Sequence, residues 1–341
     1  MKRVSIRDVA KAAGVSITTV SKALNNYPDV KEETKRRIEE IVREMNYVPD
    51  MAGRSMGGIT EPVIGLLINE LRPTERSGAV YGFLSGVCHA CKDNGIEFLL
   101  ITTDSKSQRQ NSLKRVCLSK GLSGLICSGF RINDPYIQEL AEIDIPCACI
   151  DIQTDHPNIL DVTVDNVSAA DEAVTFLIES GRKNIALVAG YRDADVSNLR
   201  VQGYCNAMNR AGLPIVESRM VEANFNENMA HSQVQKLLKQ DPEIDAIFCI
   251  SDLMAYGACQ AVEEAGLIIG KDVAIVGFDD IPTAKYVYGG LTTVRQDFYA
   301  MGYSAGAQIY EQISGQKSVA SPGELLYKLV VRGTAPEAAQ V

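Results

Sequence analysis

The chain has little of what enzymes most often use for chemistry. It carries three histidines, His89, His156 and His231, and they fall in unrelated places. No glycine-rich phosphate loop, Ser/His/Asp arrangement or metal-spaced quartet is visible. Nine cysteines, an odd number, are scattered from Cys88 to Cys259 without a disulfide framework. Cys88-x-x-Cys91 has no second pair to complete a metal site, so reduced thiols in a cytosolic protein are the expected state. No apolar run approaches the ~20 residues of a membrane span. The opening MKRVSIRDVAKAAG puts charges where an export signal needs its apolar stretch. These absences predict a cytoplasmic protein with no metal and no cofactor. They argue against an enzyme, although a sugar hydrolase could still use Asp151 and Asp279 as a converged acid/base pair.

What is present is length and an uneven charge. With 341 residues, 46% of them hydrophobic, the chain can bury sizeable cores and form two or three domains. The overall charge of −9 hides a split: residues 1–60 are net +3 and the remainder net −12. A basic, nucleic-acid-reading segment on an acidic body would have this asymmetry.

Local patterns in the basic segment read as three helices. Ser5-Ile6-Arg7-Asp8 has the form of a capping box, with the Ser5 oxygen placed to accept the N–H of Asp8. Ile6, Val9, Ala10 and Ala13 follow at helical spacing. Gly14 can take the left-handed conformation that ends a helix, and Val15 would pin the turn inward. Ser16 caps a second helix, Ile17 to about Leu24, whose Val20 and Leu24 face inward. Two short helices around a tight glycine turn form a helix-turn-helix. Ile17, Thr18, Thr19, Ser21 and Lys22 lie on the free side, suited to major-groove edges and phosphates. A third helix, about Glu32 to Met45, has Ile38, Ile41, Val42 and Met45 as its core stripe.

From residue 62 the pattern changes to apolar runs alternating with helical stretches. Val63–Ile68, Glu97–Thr102, Leu122–Cys127 and Cys147–Ile150 read as buried strands. Asn184–Ala189, Ser218–Ala223, Ala246–Ile250 and Val273–Gly277 form a second series. Such alternation implies parallel, doubly wound sheets, and two series imply two lobes. Ligands of these sheets bind at the carboxyl ends of the strands, here in a cleft between lobes.

The stretch VSIRDVAKAAGVSITTVSKALNN…VKEETKRRIEEIVREMNYVPD resembles, nearly residue for residue, the lactose-repressor/galactose-repressor family of bacterial transcription regulators. The resemblance continues through Val164-Asp165-Asn166, Ser197-x-x-Arg200-x-x-Gly203-Tyr204, Ser251-Asp252-Leu253-Met254-Ala255, Val276-Gly277-Phe278-Asp279-Asp280-Ile281-Pro282, Leu291-Thr292-Thr293-Val294-Arg295-Gln296 and Arg332-Gly333-Thr334. It implies an α/β fold: a two-lobed, periplasmic-binding-protein-like doubly wound core behind an N-terminal all-α helix-turn-helix domain. The domains would be a head at 1–48, a hinge at 49–60 and an effector-binding, dimerising core at 61–341. Lobe one would span about 61–161 and 293–321, and lobe two about 162–292 and 322–341, with crossings near 161, 292 and 322.

By the same resemblance Ile17, Thr18 and Lys22 would read bases, while Ser16, Thr19, Ser21 and Asn25 would mostly hold phosphates. Met56 stands where the family has the hinge leucine that wedges into the minor groove, and an unbranched apolar side chain can do the same. Gly53 replaces an alanine, costing ~1 kcal/mol of helix propensity, so the hinge should be harder to fold. Asp50 replaces the usual asparagine, and Lys31 the usual serine cap of the third helix.

Arg200 and Asp279 match the family's most regular effector contacts, a guanidinium and a carboxylate that fix hydroxyl or carboxylate groups. Asp151, Phe225, Ser251 and Asp252 complete the expected set. Helix capping or a structural ion pair is the alternative role for Asp252, Asp279 and Arg200, and Asp165 reads as structural. The loop Asn69–Tyr81 departs most from the family. Arg72, Arg76, Arg131 and Arg192, together with Arg200, all follow strand ends, which leaves a carboxylated or phosphorylated sugar open. The function implied is an operator-binding repressor of carbohydrate-use genes, with a near-palindromic operator, a two-fold homodimer and a sugar-like effector as partners. A sugar-binding protein without DNA function and a regulator controlled by a phosphorylated carrier protein are the alternatives.

Overall fold

The computed structural model describes residues 5–24, 27, 29–45, 62–71, 77–154, 156–319 and 325–336. The hinge, Asn25, Met56 and the Arg72–Arg76 stretch lie outside the described residues. The chain divides into two units, Met1–Glu61 and Pro62–Val341.

The first unit contains α1 (Ile6–Ala13), α2 (Ile17–Leu24) and α3 (Glu32–Glu44). Asp8 reaches back and takes both the N–H and the hydroxyl of Ser5, at 2.9 and 2.7 Å. The reciprocal half of the expected box, the Asp8 N–H toward the Ser5 side chain, is present as well, and the same N–H lies 2.9 Å from the Ser5 carbonyl. Gly14 sits at φ +64°, and the Val15 N–H closes back on the Ala10 carbonyl at 3.1 Å, which fixes the turn into α2. Val9, Ala10, Ala13, Val20, Ala23, Val30 and Ile38 bury between the three helices.

The second unit holds two sheets. Sheet one runs in the order β2 (Glu97–Thr103), β1 (Val63–Asn69), β3 (Gly124–Ser128), β4 (Cys147–Ile150), β5 (Ile159–Val162), all parallel. Sheet two runs β11 (Tyr327–Val330), β10 (Thr292–Gln296), β9 (Ala274–Asp279), β8 (Ala246–Cys249), β6 (Ile185–Ala189), β7 (Met220–Glu222), parallel except for β11 against β10. The long helices that cover them are α4 (Ser77–Asp93), α8 (Asn166–Glu179), α9 (Asp195–Arg210), α10 (Glu227–Gln240), α11 (Asp252–Glu264) and α12 (Phe298–Ser314). Three short ones, α5 (Ser105–Gln110), α6 (Leu113–Lys120) and α7 (Pro135–Glu139), complete lobe one. β1, β3 and β4 are buried along their whole length, as continuous apolar runs in a sheet covered on both faces must be.

The helix pair α4/α12 binds the last part of the chain to lobe one. It needs glycine where the backbones meet. A Cβ on Gly86 would lie 2.2 Å from the Tyr299 carbonyl oxygen, and one on Gly302 2.3 Å from that of Phe83. The sheets also correct the expected lobe boundary. β10 pairs with β9 and β11, so residues 292–296 belong to lobe two and the second crossing comes after Gln296. The first crossing lies between β5 and α8, and the third between α12 and β11.

A cleft at the carboxyl ends of two sheets

Loops from both lobes converge on one cavity of about 560 Å³. Lobe one contributes the ends of β1, β3 and β4 (Asn69, Ser128, Asp151) and the start of α4. Lobe two contributes the residues after β6, β7 and β8 (Tyr191, Phe225, Ser251) and the ends of β9 and β10 (Asp279, Gln296). Of the seven described non-glycine residues with positive φ, five line this cavity: Glu70, Asp151, Asn224, Phe225 and Asp279. Left-handed backbone costs free energy at such residues, and it clusters where side chains must be aimed out of regular structure.

The lobe-two wall is a chain of polar groups. Arg200, on α9, is 2% exposed. Its Nε donates to Asn166 at 2.8 Å, its Nη1 to the Ile250 carbonyl at 2.6 Å, and Nη1 lies 3.5 Å from Asp279 Oδ1. The guanidinium carbon sits 3.6 Å from the Phe278 ring centroid. Gln296 Nε2 donates to the same Asp279 oxygen at 2.7 Å. Ser251 caps α11 by accepting the Met254 N–H, and it lines the cavity. The Phe225 ring packs against the chain at Gly190, where any Cβ would meet it at 2.2 Å.

Asp252 does not reach the cavity. It is fully buried, accepting the Thr293 hydroxyl at 2.5 Å and the Ile281 N–H at 2.8 Å, which ties α11 to β10 and to the β9 exit. Burial first, and then the nearby Asp279 charge, push its carboxyl well above the usual range. Its expected role as an effector contact is therefore corrected to a structural one. Asp165 caps α8 through the Ser168 N–H at 2.9 Å.

The lobe-one wall is mainly apolar: Ile68, Leu71, Val80, Phe83, Ile150 and Phe298 face the cavity. Its polar groups are bound to their own lobe or to the loop opposite. Asn69 donates to Asp134 at 2.9 Å and accepts from Gln108 at 3.0 Å. Asp151 accepts the Thr163 hydroxyl at 3.0 Å. Arg131 stacks over Tyr191 of lobe two at 4.0 Å and lies 3.6 Å from Glu70 and 3.7 Å from Asp193. Two more bonds join the lobes beside it: Ile132 N–H to the Asp193 carbonyl at 2.9 Å, and Gln153 N–H to Asp195 at 2.8 Å. Arg192 pairs with Glu222 on the surface, outside the cavity lining. Of the arginines expected at the rim, Arg131 and Arg200 line the cavity, and both are engaged with protein groups.

On the head, Ser16, Ile17 and Thr18 are exposed, and Thr19, Ser21 and Lys22 are half-buried. Ile17 presents an apolar side chain, 44% exposed, at the start of α2. Ser16 accepts the Thr19 N–H at 3.0 Å and its hydroxyl bonds that of Thr19 at 2.8 Å. Lys22 forms an ion pair with Asp29, and the ammonium holds the Asp29 carboxyl below its usual value. Their side chains are 42% and 52% exposed, so solvent screens the pair and it is weak.

Tyr191 was not among the expected site residues, and it meets the expected rim residue Arg131 only because two lobes face each other. Sequence reasoning quoted Gln296 within a motif without assigning it to the cleft. Among the described residues no group of three or more His, Cys, Asp or Glu is placed to hold a metal, and no helix is long and apolar enough to cross a membrane. All nine cysteines are free thiols, and burial pushes that of Cys91 up to about 12.

Comparison with known proteins gives the same two parts. Residues 5–50 match the model described as bacterial regulatory proteins, lacI family. Residues 64–328 match that of periplasmic binding proteins and the sugar binding domain of the LacI family. The chain is 30% identical over 301 residues to the transcriptional regulator MalR of Clostridium butyricum, covering 86% of this chain and 88% of that one. Catabolite control protein A of Priestia megaterium is also 30% identical over 301 residues, covering 88% and 89%. Among solved structures, the Lac repressor dimer bound to operator and an anti-inducer superposes with a TM-score of 0.82 at 25% identity, covering 98% of this chain and 100% of that one. A complex of the regulator CelR with cellobiose gives 0.72 at 26% identity, with the same coverage.

Proposed function

Because the chain belongs to the LacI family, and so is a DNA-binding transcription regulator with an effector-binding core, we propose how its own residues divide that work. Ile17, Thr18 and Lys22 read base edges, and Ser16, Thr19, Ser21 and Asn25 hold phosphates. Met56 acts as the minor-groove wedge of the hinge. One head reads one half-site, so a homodimer on a near-palindromic operator, in the cytoplasm, is the working form.

A small, hydroxyl-rich effector, a sugar or sugar derivative, occupies the cleft and sets operator affinity of carbohydrate-use genes. The observation that carries this reading is the cavity of about 560 Å³, with Arg200 and Asp279 on one wall and the Phe225 ring beside them. Its size suits a small-molecule site, and a flat aromatic beside fixed polar groups suits a sugar face. Asp151 and Ser251 supply further polar atoms at the strand ends. Lobe closure around the ligand moves the start of lobe one, to which the hinge connects, and couplings of this kind are typically ~1–3 kcal/mol.

Selection on random duplexes tests the head. Lys22→Ala should cost ~1–3 kcal/mol and relax preference at one position per half-site. Retention of both affinity and preference would remove Lys22 from the base-reading set. A thermal-shift screen of sugars, sugar acids and nucleobases tests the cleft, since a ligand bound there raises the melting temperature.

A further inference from the structure

The reading side of the head carries a carboxylate as well as a cation. Lys22 lies in the last turn of α2, among the residues proposed to read base edges, and Asp29 lies in the turn that leads to α3. That turn is held at both ends: the Tyr27 N–H bonds the Lys22 carbonyl at 3.0 Å, and Val30, 8% exposed, packs between the three helices. Asp29 is thereby brought to the last turn of α2, where its carboxylate pairs with the Lys22 ammonium. Lys35 lies near the same carboxylate but bonds Glu32 at 2.9 Å. The Lys22–Asp29 pair is too exposed to matter much for folding. Its place matters for DNA, because a contact that brings Lys22 to a base edge brings Asp29 to within one ammonium of the same duplex. The phosphates of every sequence repel a carboxylate there alike. A lysine held in one direction, by contrast, gains only where a base edge offers an acceptor.

We propose that Asp29 is a specificity-determining residue of the head, which restrains the Lys22 ammonium from the phosphates and so raises discrimination while lowering affinity. This deepens the base-reading role given to Lys22 and rests on it. An ammonium has three donors, so one can stay with Asp29 while another meets a base acceptor. Without the carboxylate, the same flexible stem reaches a phosphate on any duplex. Specificity is a difference of affinities, and a group that weakens binding to every sequence while sparing one contact serves it as a new contact would.

The test uses the full chain and its Asp29→Asn, Lys22→Ala and doubly substituted variants. Each is measured on the duplex that wild type selects from a random pool and on a scrambled duplex of the same length. Asp29→Asn should bind the scrambled duplex about 3- to 10-fold more tightly, gain less on the selected one, and so lose specificity. The freed ammonium neutralises one more phosphate, so the log–log salt slope on the scrambled duplex should steepen by about one. Base preference should flatten at the position that Lys22→Ala also relaxes. In the Lys22→Ala background most of the gain from Asp29→Asn should vanish. An equal gain with and without Lys22 means that the carboxylate acts on the phosphates directly, and this overturns the proposal. So does an Asp29→Asn melting temperature lowered by more than ~5 °C with an unchanged salt slope, which marks a purely structural carboxylate. Lost preference in Lys22→Ala with an unchanged specificity ratio in Asp29→Asn removes the proposal alone. Retained preference in Lys22→Ala removes the base-reading role, and the proposal with it.

Discussion

The two walls of the cleft are built on different principles. Lobe two presents polar groups already held in place: Arg200 and Asp279 are fixed by each other, by Asn166, by Gln296 and by the Phe278 ring. Lobe one presents apolar side chains, and it binds Asn69 and Asp151 to partners of its own before they face the cavity. In the proposed effector reading, lobe two orients the ligand and lobe one covers it. Lobe two is thereby suited to supply specificity, and lobe one the energy of closure. Prearranged dipoles cost little to use at binding, whereas apolar walls contribute only when they close on something.

The largest expected effect comes from removing the centre of the lobe-two wall. Arg200→Ala takes a buried donor away from Asn166, from the Ile250 carbonyl and from Asp279, which keeps the one from Gln296. We expect it to destabilise the core by ~3–5 kcal/mol in denaturant unfolding. A loss under ~1 kcal/mol would mean that the wall is a flexible surface, not a framework.

A smaller effect tests whether the support beneath that wall is equally fixed. Asp252 has its carboxyl pushed up by burial, so the folded state favours the protonated form. The unfolded chain releases that proton above its ordinary value of about 3.8, so this contribution is fully present below that pH. It is lost as pH rises toward the folded value, by at most ~1.4 kcal/mol per pH unit. Asp279 and Asp280, the charged neighbours that raise it, act in the same sense. Asp252→Asn removes the titration, so its melting temperature should gain on wild type as pH rises from 5 to 8. A constant difference across that range would show that the carboxyl stays ionised in the fold.

The smallest effect concerns the contacts between the walls. Arg131→Ala removes the stack on Tyr191 and the approaches to Glu70 and Asp193, all partly exposed, worth ~0.5–1 kcal/mol together. X-ray scattering of the ligand-free protein should then report a larger radius of gyration. An unchanged radius would mean that the lobes are held by their crossings alone.

Much of this was legible in the sequence. The buried strands β1 and β4 show as continuous apolar runs, and the head shows through Ser5, Gly14 and Ser16, whose local chemistry needs no distant partner. β5, β10 and β11 are short strands interrupted by Asp161, Arg295 and Lys328, and their pairing depends on crossings that no local pattern announces. The same limit explains the cleft. Arg200 and Asp279 could be placed from their motifs and strand ends. Asp252 could not be separated from its neighbour Ser251, because one faces the cavity and the other turns beneath β10 to meet Thr293. Arg131 and Gln296 acquire their roles only when loops far apart in the chain come together.

In the proposed function, a ligand held by the lobe-two wall sets operator affinity. Fluorescence anisotropy of a labelled operator, with and without the ligand found in the thermal screen, tests it on wild type and Asp279→Ala. Wild-type affinity should shift by about tenfold or more on adding ligand, within the usual range of allosteric coupling. Asp279→Ala should bind operator within about threefold of wild type in the absence of ligand, ~0.7 kcal/mol, and show no shift on adding it. A variant that still responds at the same ligand concentration as wild type would place the effector outside this cleft.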